Sequence, residues 1–491
     1  MSRNLTRRGL LAGAMSVAGS AGYALAPEVS ARPAPRGAFL DNMSAEAEAA
    51  IRAANLGGTV GYAVADVATG QVLEGRLGEL RMPPASTLKV VTALYGLERL
   101  GPTYQFQTQV LARGSVMNGR LQGDLILKGG GDPTLDTDRL ADLAVALREA
   151  GVSEVTGRFL VWRDGLPRGD RIDHEQPEFV GYNPAYGGLN LNFNRVHFQW
   201  ERRKDREYDV TMHARAVRFS PATNVSAMEI VEREAPVFDY VAGLGRDRWS
   251  VAKKALGKNG ARWLPIRFPG HYAADVFRTL ARSNGIVLKA PEYLSEVPTD
   301  PAIASVMSEP LALVLTGMLK HSTNLTAEIV GLSSSVANGV PVGSLLGSGS
   351  RMAGWAIEAF GCSGAQFRDH SGLGYGSVLS ARDMVKILAR NAQVAPLLKP
   401  VNLTLNNSNP APAGVEVRAK TGTLNFVSSL AGYVRTKSGR ELCFAIFTAD
   451  TERRDAIPPE ARERPKGAKG WSRRSRTLQK KLIRSWAAKF G

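Results

Sequence analysis

Cysteine and histidine are scarce in this chain, and their scarcity excludes several kinds of site. Only two cysteines, Cys362 and Cys443, and six histidines occur among 491 residues. Neither cysteine has the spacing of a metal site or the surroundings of a catalytic thiol. The two cysteines fit either one disulfide, in an oxidising compartment, or two separate buried thiols, because spacing does not show whether they are near each other. No Ser-His-Asp arrangement is evident, and His321 is interpreted as a partly exposed linker histidine.

Three further absences narrow the function. The glycine-rich stretch 129–134 is not followed by Gly-Lys-Ser or Gly-Lys-Thr, so it does not form a phosphate-binding loop. Beyond the N-terminus, no segment is long and apolar enough to predict a membrane-spanning helix. No nucleic-acid-binding module is recognisable, so nucleic acid is a poor partner for this chain despite its formal net charge of +17.

The N-terminus has the composition of an export signal. Residues 6–11, with the pair Arg7-Arg8, precede an apolar stretch of small residues that extends to Ala26. This pattern predicts a signal peptide over residues 1–31, cleaved after Ala31, and therefore an exported protein, periplasmic or associated with the cell wall. The paired arginines resemble a twin-arginine signal, with the general secretory route as the alternative. An uncleaved membrane anchor is the other interpretation, although the segment is short and rich in Gly, Ala and Ser.

Three short motifs follow one another along the chain. Ser86-Thr87-Leu88-Lys89 comes first, Ser322-Thr323-Asn324 second and Lys420-Thr421-Gly422 third. They match S-x-x-K, S-x-N and K-T-G, a set used by serine acyl-transfer enzymes. Each motif alone is weak in a chain of this length. The ordered triple is specific, because each copy also lies in the local context that its role requires.

The first motif has the residues of an activated nucleophile. Prolines precede Ser86 and an apolar run follows it, which predicts that Ser86 lies in the first turn of a buried helix. Unpaired backbone N–H groups there favour developing negative charge. Lys89, three residues on, lies on the same face of the helix. A serine needs a base to take its proton, and a lysine can be that base if burial and nearby cations lower its pKa.

The other two motifs supply polar groups of different kinds. Ser322 and Asn324 precede an apolar helical pattern, so either one can cap a helix and also face a cleft. Lys420 ends an alternating stretch that predicts a strand, and a second strand, a tight turn and a third strand follow it. Gly422 leaves room for a ligand backbone. A cationic Lys420 with the hydroxyls of Thr421 and Thr423 suits a peptide that ends in a carboxylate.

With these motifs the chain resembles the class C low-molecular-mass penicillin-binding proteins, the D-alanyl-D-alanine carboxypeptidase/endopeptidase family. Three further stretches agree with the family, namely residues 129–135, 189–194 and 369–374. The resemblance spans roughly residues 40 to 450. It implies an α+β fold, in which an antiparallel sheet flanked by helices forms a penicillin-binding/serine β-lactamase-like catalytic domain. It also implies a serine peptidase that cleaves D-alanyl bonds of peptidoglycan stem peptides, needs no metal or organic cofactor, and is inhibited covalently by β-lactam antibiotics.

The resemblance also implies roles for the motif residues. Ser86 attacks the D-alanyl carbonyl, Lys89 is its base, and the backbone N–H groups of Ser86 and Thr423 hold the oxyanion. Ser322 and Lys420 relay a proton to the leaving amine, and Asn324 positions the substrate amide. Two alternatives remain: a β-lactamase, which deacylates fast, and a catalytically idle wall-binding scaffold. The large insertion and Ser322, rather than a tyrosine, argue against a class C β-lactamase, and the Ser-Thr-Asn motif departs from the class A pattern. The intact motifs argue against the scaffold.

The spacing of the motifs predicts the domain organisation. The long gap between the first two motifs contains many short alternating segments, so residues 105–290 are predicted to form a mostly β insertion. Residues 32–104 and 291–491 are predicted to fold together as the catalytic domain.

The C-terminus is strongly basic. Residues 462–491 contain eleven Lys or Arg and one acidic residue, which is a net +10 of the total +17. The segment 452–475 is rich in Pro and Gly and is predicted to be a basic mobile loop. The apolar residues after it recur at helical spacing. We expect that helix to pack on the catalytic sheet, and the alternative is electrostatic attachment to an anionic wall or membrane surface.

Overall fold

The computed structural model describes residues 42–337, 339 and 341–491. The predicted signal peptide over residues 1–31 lies outside the described residues. The helices are α1 Ala45–Ala54, α2 Leu88–Leu100, α3 Thr137–Glu149, α4 Pro269–Ser283, α5 Leu311–His321, α6 Asn324–Val336, α7 Leu345–Phe360, α8 Ala381–Ala389, α9 Thr451–Asp455 and α10 Ala468–Phe490. The strands are β1 Thr59–Asp66, β2 Val72–Arg76, β3 Arg81–Met82, β4 Gln107–Met117, β5 Arg120–Lys128, β6 Glu154–Val155, β7 Phe159–Trp162, β8 Arg195–Arg202, β9 Tyr208–His213, β10 Ser226–Val231, β11 Phe238–Ala242, β12 Asp247–Ala252, β13 Asn259–Pro265, β14 Pro291–Leu294, β15 Ala302–Met307, β16 Leu379–Ser380, β17 Lys399–Pro400, β18 Glu416–Leu424, β19 Val427–Arg435 and β20 Glu441–Ala449.

An antiparallel sheet of six strands joins the two ends of the described chain. Its order is β17-β18-β19-β20-β1-β2, so the early hairpin pairs with the last strand. Strands β19 and β20 are buried almost throughout because helices cover both faces of the sheet. Trp471, Leu482 and Trp486 of α10 pack on one face, and helices that include α2 and α8 cover the other.

Helix α2 is the centre of the helical half. Its residues from Leu88 to Gly96 are all buried, because α5, α6 and α7 surround it. A helix that is apolar on every side belongs in a core rather than at a surface. Lys89 is the one charged residue in this buried run, so its amine has to find its partners inside the protein.

The predicted insertion has its own sheets and its own hydrophobic core, which includes Val110, Leu125, Phe198 and Phe277. Its largest sheet has the order β14-β7-β5-β4-β15, with β6 paired to β5. Two three-stranded sheets, β13-β8-β9 and β10-β12-β11, complete it. The structure corrects the predicted end at residue 290: β14 and β15 pair with β7 and β4, so the chain returns to the catalytic part only after Met307. The pairing of late strands with early ones leaves no local mark in the sequence.

The predicted mobile loop over residues 452–475 is also corrected. Helix α9 occupies its start, and α10 begins at Ala468 rather than beyond 475. Trp471 is 1% exposed and its indole N–H donates to the carbonyl of Leu56 at 2.8 Å. This buried tryptophan extends the helix toward the N-terminus, and only the stretch between α9 and α10 runs mainly as irregular backbone with one short 3-10 turn.

The structure bears on the predictions about the two cysteines and about membrane-spanning helices. Cys362 and Cys443 are separate, buried free thiols rather than a disulfide. Across the described ranges, the helices are all too short or too polar to cross a bilayer.

Candidate active site

Ser86 lies where the chain enters the central helix. Ala85–Thr87 forms a 3-10 turn that runs directly into α2, as the prolines before it predict. Ala85 has a φ of +46°, which is an unfavourable conformation for a residue with a side chain. Lys89 is fully buried, and its Nζ donates to Ser86 Oγ at 2.9 Å. The nucleophile and its candidate base are therefore in direct hydrogen-bond contact, as expected from their spacing of three residues.

The second motif lies between two helices that pack against α2. Ser322 ends α5 in the left-handed conformation (φ 58°), and Asn324 opens α6. The side chain of Asn324 has two partners: Oδ1 accepts from Lys89 Nζ at 2.7 Å, and Nδ2 donates to the carbonyl of Tyr182 at 2.9 Å. Asn324 thus connects the base to the inserted domain.

The third motif lies on β18, next to the turn that holds Ser86. Lys420 is buried, and its Nζ donates to Ser322 Oγ at 2.9 Å and to the carbonyl of Thr421 at 2.7 Å. Alternation along the strand leaves Thr421 and Thr423 exposed. A Cβ on Gly422 would lie 2.1 Å from Ser429 Oγ and 2.9 Å from the carbonyl oxygen of Pro84. Glycine is needed here because the strand runs so close to the turn that carries the nucleophile.

The structure adds partners that the motifs did not predict. The third acceptor of Lys89 Nζ is the carbonyl of Ser371, at 2.8 Å. Gly372 follows with a φ of +73°, and a Cβ there would lie 1.9 Å from the carbonyl oxygen of Ala85. The stretch 369–374 stood out in the sequence only as a family marker, without a role. Its contacts show that it holds both Lys89 and the turn before Ser86.

Burial shifts the proton affinity of both lysines. Desolvation lowers the pKa of Lys89, while the carboxylates of Glu328 and Asp369 oppose that shift. Desolvation and then the charge of Lys89 lower the pKa of Lys420 to about 6. At neutral pH, Lys420 is therefore mainly a neutral amine, and Lys89 releases its proton more readily than an exposed lysine. Both can act as proton acceptors in an acyl-transfer reaction.

A cleft of about 880 Å³ opens onto Ser86, Ser322, Asn324 and Thr423. Glu175, Gln176 and Tyr182 of the insertion form part of one wall, and the C-terminal segment forms another. Two ion pairs connect these walls: Arg462–Glu175 at 2.7 Å and Arg262–Glu463 at 2.9 Å. The C-terminal residues that line the cleft are Arg454, Asp455, Ile457, Arg462, Glu463, Arg464, Pro465, Ala468, Lys469 and Ser472. The basic segment is thus part of the substrate cleft as well as of the outer surface.

The structure brings together all of the residues predicted for catalysis, namely Ser86, Lys89, Ser322, Asn324 and Lys420. Thr423 borders the cleft, with Gly422 and Thr421 on the same strand. Within the described part of the chain, no group of three or more His, Cys, Asp or Glu side chains is arranged to hold a metal ion.

Comparisons with known proteins agree with this geometry. The model of the D-Ala-D-Ala carboxypeptidase 3 (S13) family matches residues 43–466. The chain belongs to this family. It is therefore a serine-type D-Ala-D-Ala carboxypeptidase, a hydrolase that acts on peptidoglycan, which confirms the activity predicted from the motifs.

Individual relatives are distant but cover most of the chain. A D-alanyl-D-alanine carboxypeptidase of Actinomadura sp. is 28% identical over 84% of this chain and 81% of its own length. The D-alanyl-D-alanine carboxypeptidase DacB of Haemophilus influenzae is 25% identical over 80% and 85%, respectively. The crystal structure of penicillin-binding protein 4 from Haemophilus influenzae superposes with a TM-score of 0.69 at 20% identity, covering 89% of this chain and 99% of that one. This likeness confirms the predicted α+β fold.

The shifted lysines predict how activity depends on pH. The kcat/KM for release of D-alanine from a D-alanyl-D-alanine peptide should be bell-shaped in pH, because the reaction needs one proton on the pair of lysines: Lys89 has to be free to accept and Lys420 has to donate. The lower step, a rise near pH 6, follows loss of the proton from Lys420 in the free enzyme, and the upper step, a fall still below the ordinary pKa of lysine, follows loss of the proton from Lys89.

The variant Lys420→Arg tests whether Lys420 produces the lower step, because a guanidinium stays protonated over the whole pH range. The variant should lose the lower step, and its kcat/KM at pH 8 should fall by about a hundredfold, on the usual scale of acid–base effects. A step near pH 6 that persists in Lys420→Arg would show that another group titrates there.

Proposed function

We propose that this chain is an exported acyl-enzyme peptidase, in which Ser86 attacks D-alanyl bonds of peptidoglycan stem peptides with Lys89 as its base. The observation that carries the proposal is the 2.9 Å contact between Lys89 Nζ and Ser86 Oγ at the mouth of the cleft. A hydroxyl so close to a buried amine of lowered pKa can lose its proton as it attacks.

Acylation proceeds through a tetrahedral intermediate. The Oγ of Ser86 bonds to the carbonyl carbon of the penultimate D-alanine, and its proton passes to Lys89. The backbone N–H groups of Ser86 and Thr423 hold the oxyanion. The C–N bond then breaks as the leaving amine takes a proton through Ser322 and Lys420, which are 2.9 Å apart. Water next attacks the ester carbonyl and gives one proton to Lys420 through Ser322. The bond from the carbonyl carbon to Ser86 Oγ then breaks, Ser86 Oγ takes its proton back from Lys89, and the shortened peptide leaves.

The walls of the cleft support binding of a peptide with a free carboxylate. The hydroxyls of Thr421 and Thr423 lie on the exposed face of β18, beside Lys420. A substrate carboxylate placed there raises the pKa of Lys420, so that the lysine takes up a proton and pairs with the carboxylate. Asn324 also lines the cleft, and its Nδ2, which donates one N–H to the carbonyl of Tyr182, has a second N–H for the peptide backbone. A cleft of about 880 Å³ also leaves room for a cross-linked peptide, so the proposal includes endopeptidase activity.

Penicillins should inhibit the enzyme covalently, because a strained lactam carbonyl occupies the same position as the D-alanyl carbonyl. Ser86→Ala should abolish the penicillin adduct seen by mass spectrometry and leave the fold intact, since one partly exposed hydroxyl is lost. Lys89→Ala should acylate about a hundredfold slower or more, on the usual scale of general-base effects.

Three outcomes would count against this assignment. An adduct on Ser86→Ala would show that another residue is the nucleophile. An unchanged acylation rate in Lys89→Ala would remove Lys89 from the role of base. An adduct on the wild type that disappears rapidly would indicate a β-lactamase instead of a peptidase that is trapped by penicillin.

Export is proposed from the N-terminal composition. The mature chain should begin near Arg32 and be found outside the cytoplasm, which N-terminal sequencing of the fractionated protein checks. Changing Arg7 and Arg8 to Lys should block export if the twin-arginine route is used. Intact Met1 in a membrane fraction would contradict cleavage, and normal export of the double variant would indicate the general secretory route.

The basic C-terminus is proposed to attach the enzyme to an anionic wall or membrane surface. The net +10 over residues 462–491 supports this. In the structure, some of these cations line the cleft and others are exposed outside it. Arg464 and Lys469 line the cleft. Arg473 and Lys481 are exposed beside α1, on a shallow groove away from the cleft, and Lys466 is exposed outside both.

Two variants separate these groups. Replacing Lys466, Arg473 and Lys481 with Gln should weaken salt-sensitive binding to isolated sacculi or anionic vesicles, since exposed charges are screened within about 10 Å at roughly 0.1 M salt. Release of D-alanine from a small soluble peptide should stay unchanged. The matched variant, Arg464 and Lys469 to Gln, should alter peptide hydrolysis instead. Unchanged sacculus binding in the first variant would contradict attachment through this surface.

A further inference from the structure

Glu328 is a buried carboxylate one turn after Asn324 on α6. Both residues face the base, because a spacing of four places them on the same side of a helix. Glu328 is 0% exposed. Its two oxygens accept from backbone N–H groups: Oε2 from His370 at 2.8 Å and Oε1 from Ser371 at 3.0 Å. A buried charge at this depth persists only where hydrogen bonds or an opposite charge compensate it.

The backbone that Glu328 holds is the one that binds the central helix. The carbonyl of Ser371 accepts from Lys89 Nζ at 2.8 Å, and the carbonyl of His370 accepts from Thr92 Oγ1 at 2.5 Å. Residues 370 and 371 are therefore fixed from two sides, by Glu328 through their N–H groups and by α2 through their carbonyls. Loosening the first set of bonds would let the carbonyl of Ser371 move away from Lys89.

A second carboxylate holds the next peptide unit. Asp369 is 1% exposed, and it accepts from the N–H groups of Gly372 at 2.8 Å and Gly374 at 2.5 Å. The N–H of Gly372 and the carbonyl of Ser371 belong to the same peptide group, so Asp369 polarises the carbonyl that faces Lys89. Glu328 does the same for the preceding peptide group, which faces Thr92.

We propose that Glu328 is a positioning residue for the base: it fixes residues 370–371 against α2 and supplies negative charge next to Lys89. It touches neither Ser86 nor the cleft, so it acts through Lys89. This rests on the acyl-enzyme chemistry proposed above, in which Lys89 takes the proton of Ser86.

The charged and titratable groups around Glu328 come from three parts of the chain: α2, the segment 369–371 and the insertion. Burial and then the neighbouring Asp369 raise the pKa of Glu328, whereas the hydrogen bonds from Ser371 and His370 and the charge of Lys89 favour its ionised form. Burial keeps His370 neutral, with a pKa of about 3, and Nε2 of its ring is 2.8 Å from Ser348 Oγ. Tyr186 of the insertion has a pKa raised to about 12, first by burial and then by Glu328. The groups that shift the pKa of Lys420 do not include Glu328. Removing the charge of Glu328 should therefore affect Lys89 and leave Lys420 unchanged.

Two variants separate charge from geometry. Glu328→Gln keeps the size but loses the charge, and it replaces one of the two accepting oxygens with an NH₂ group that cannot accept. The upper step of the pH profile of kcat/KM should move to lower pH by about one pH unit, because the charge that raises the pKa of Lys89 is lost. The lower step, near pH 6, should stay in place.

Glu328→Asp keeps the charge on a shorter side chain, so its upper step should stay in place. The plateau of the profile, which is the highest kcat/KM reached, should fall in both variants by about tenfold or more, because the carbonyl of Ser371 is misplaced.

Asp138→Asn is the matched control. Asp138 is also buried and also accepts backbone N–H bonds, from Val217, Arg218 and Phe219, but it lies on α3 in the insertion. Its substitution removes a comparable set of bonds and should move neither step of the profile. A shift of the upper step in Asp138→Asn would mean that loss of stability, rather than position beside Lys89, produces the effect.

A measurement that does not need turnover distinguishes this proposal from the acyl-enzyme mechanism. Lysine labelled with ¹³C at Cε allows the pKa of Lys89 to be followed by NMR, with Lys89→Ala providing the assignment. Glu328→Gln should lower that pKa, and Glu328→Asp should leave it close to that of the wild type. A wild type that releases no D-alanine would refute the proposed mechanism while this titration still tests Glu328. The positioning role would be overturned if Glu328→Gln left both the pKa of Lys89 and the plateau of kcat/KM unchanged. If Glu328→Gln does not fold, a plateau of kcat/KM in Glu328→Asp equal to that of the wild type overturns it.

Discussion

The buried amine of Lys89 determines the arrangement of this site. Its three hydrogen bonds go to Ser86 in its own turn of helix, to Asn324, which is 235 residues away, and to the carbonyl of Ser371, which is 282 residues away. An ammonium group buried without partners would be strongly unfavourable, so these segments have to converge. The site therefore forms only when both parts of the catalytic domain have folded on either side of the insertion.

The insertion and the C-terminal segment take part in the site as well. The carbonyl of Tyr182 accepts from Asn324, so a residue of the insertion touches a motif residue directly. The ion pairs Arg462–Glu175 and Arg262–Glu463 then connect the insertion to the segment before α10. Ion pairs at half-exposed positions contribute little stability, which favours a role in fixing the shape of the cleft over one in holding the fold together. Selectivity for the substrate is thus expected to depend on regions that lie far from the three motifs in sequence.

Local patterns in the sequence were enough to predict the parts of the site that depend on local structure. The turn before α2, the spacing of Ser86 and Lys89 and the strand that carries Lys420 follow from prolines, helical spacing and alternation. The contact of Glu328 with residues 370 and 371 spans more than forty positions and has no periodic signal. The return of β14 and β15 to the sheet of the insertion depends likewise on pairing between distant strands. The buried Trp471 explains why a segment rich in glycine and basic residues is helical, because the energy of burying a large indole exceeds weak local preferences.

The two lysines differ because their surroundings differ. Lys89 faces the carboxylates of Glu328 and Asp369, which oppose the effect of burial on its pKa. For Lys420, burial and the charge of Lys89 act in the same direction, and no carboxylate of the described chain counters them. Groups whose environments drive their pKa values apart are suited to opposite acid and base roles. On the proposed mechanism, the free enzyme holds Lys420 neutral, and the carboxylate of an arriving peptide restores its affinity for a proton. Lys420 then becomes a proton donor only once substrate is bound. Its contact with Ser322 lets it protonate the leaving amine, whereas Lys89 accepts the proton of Ser86.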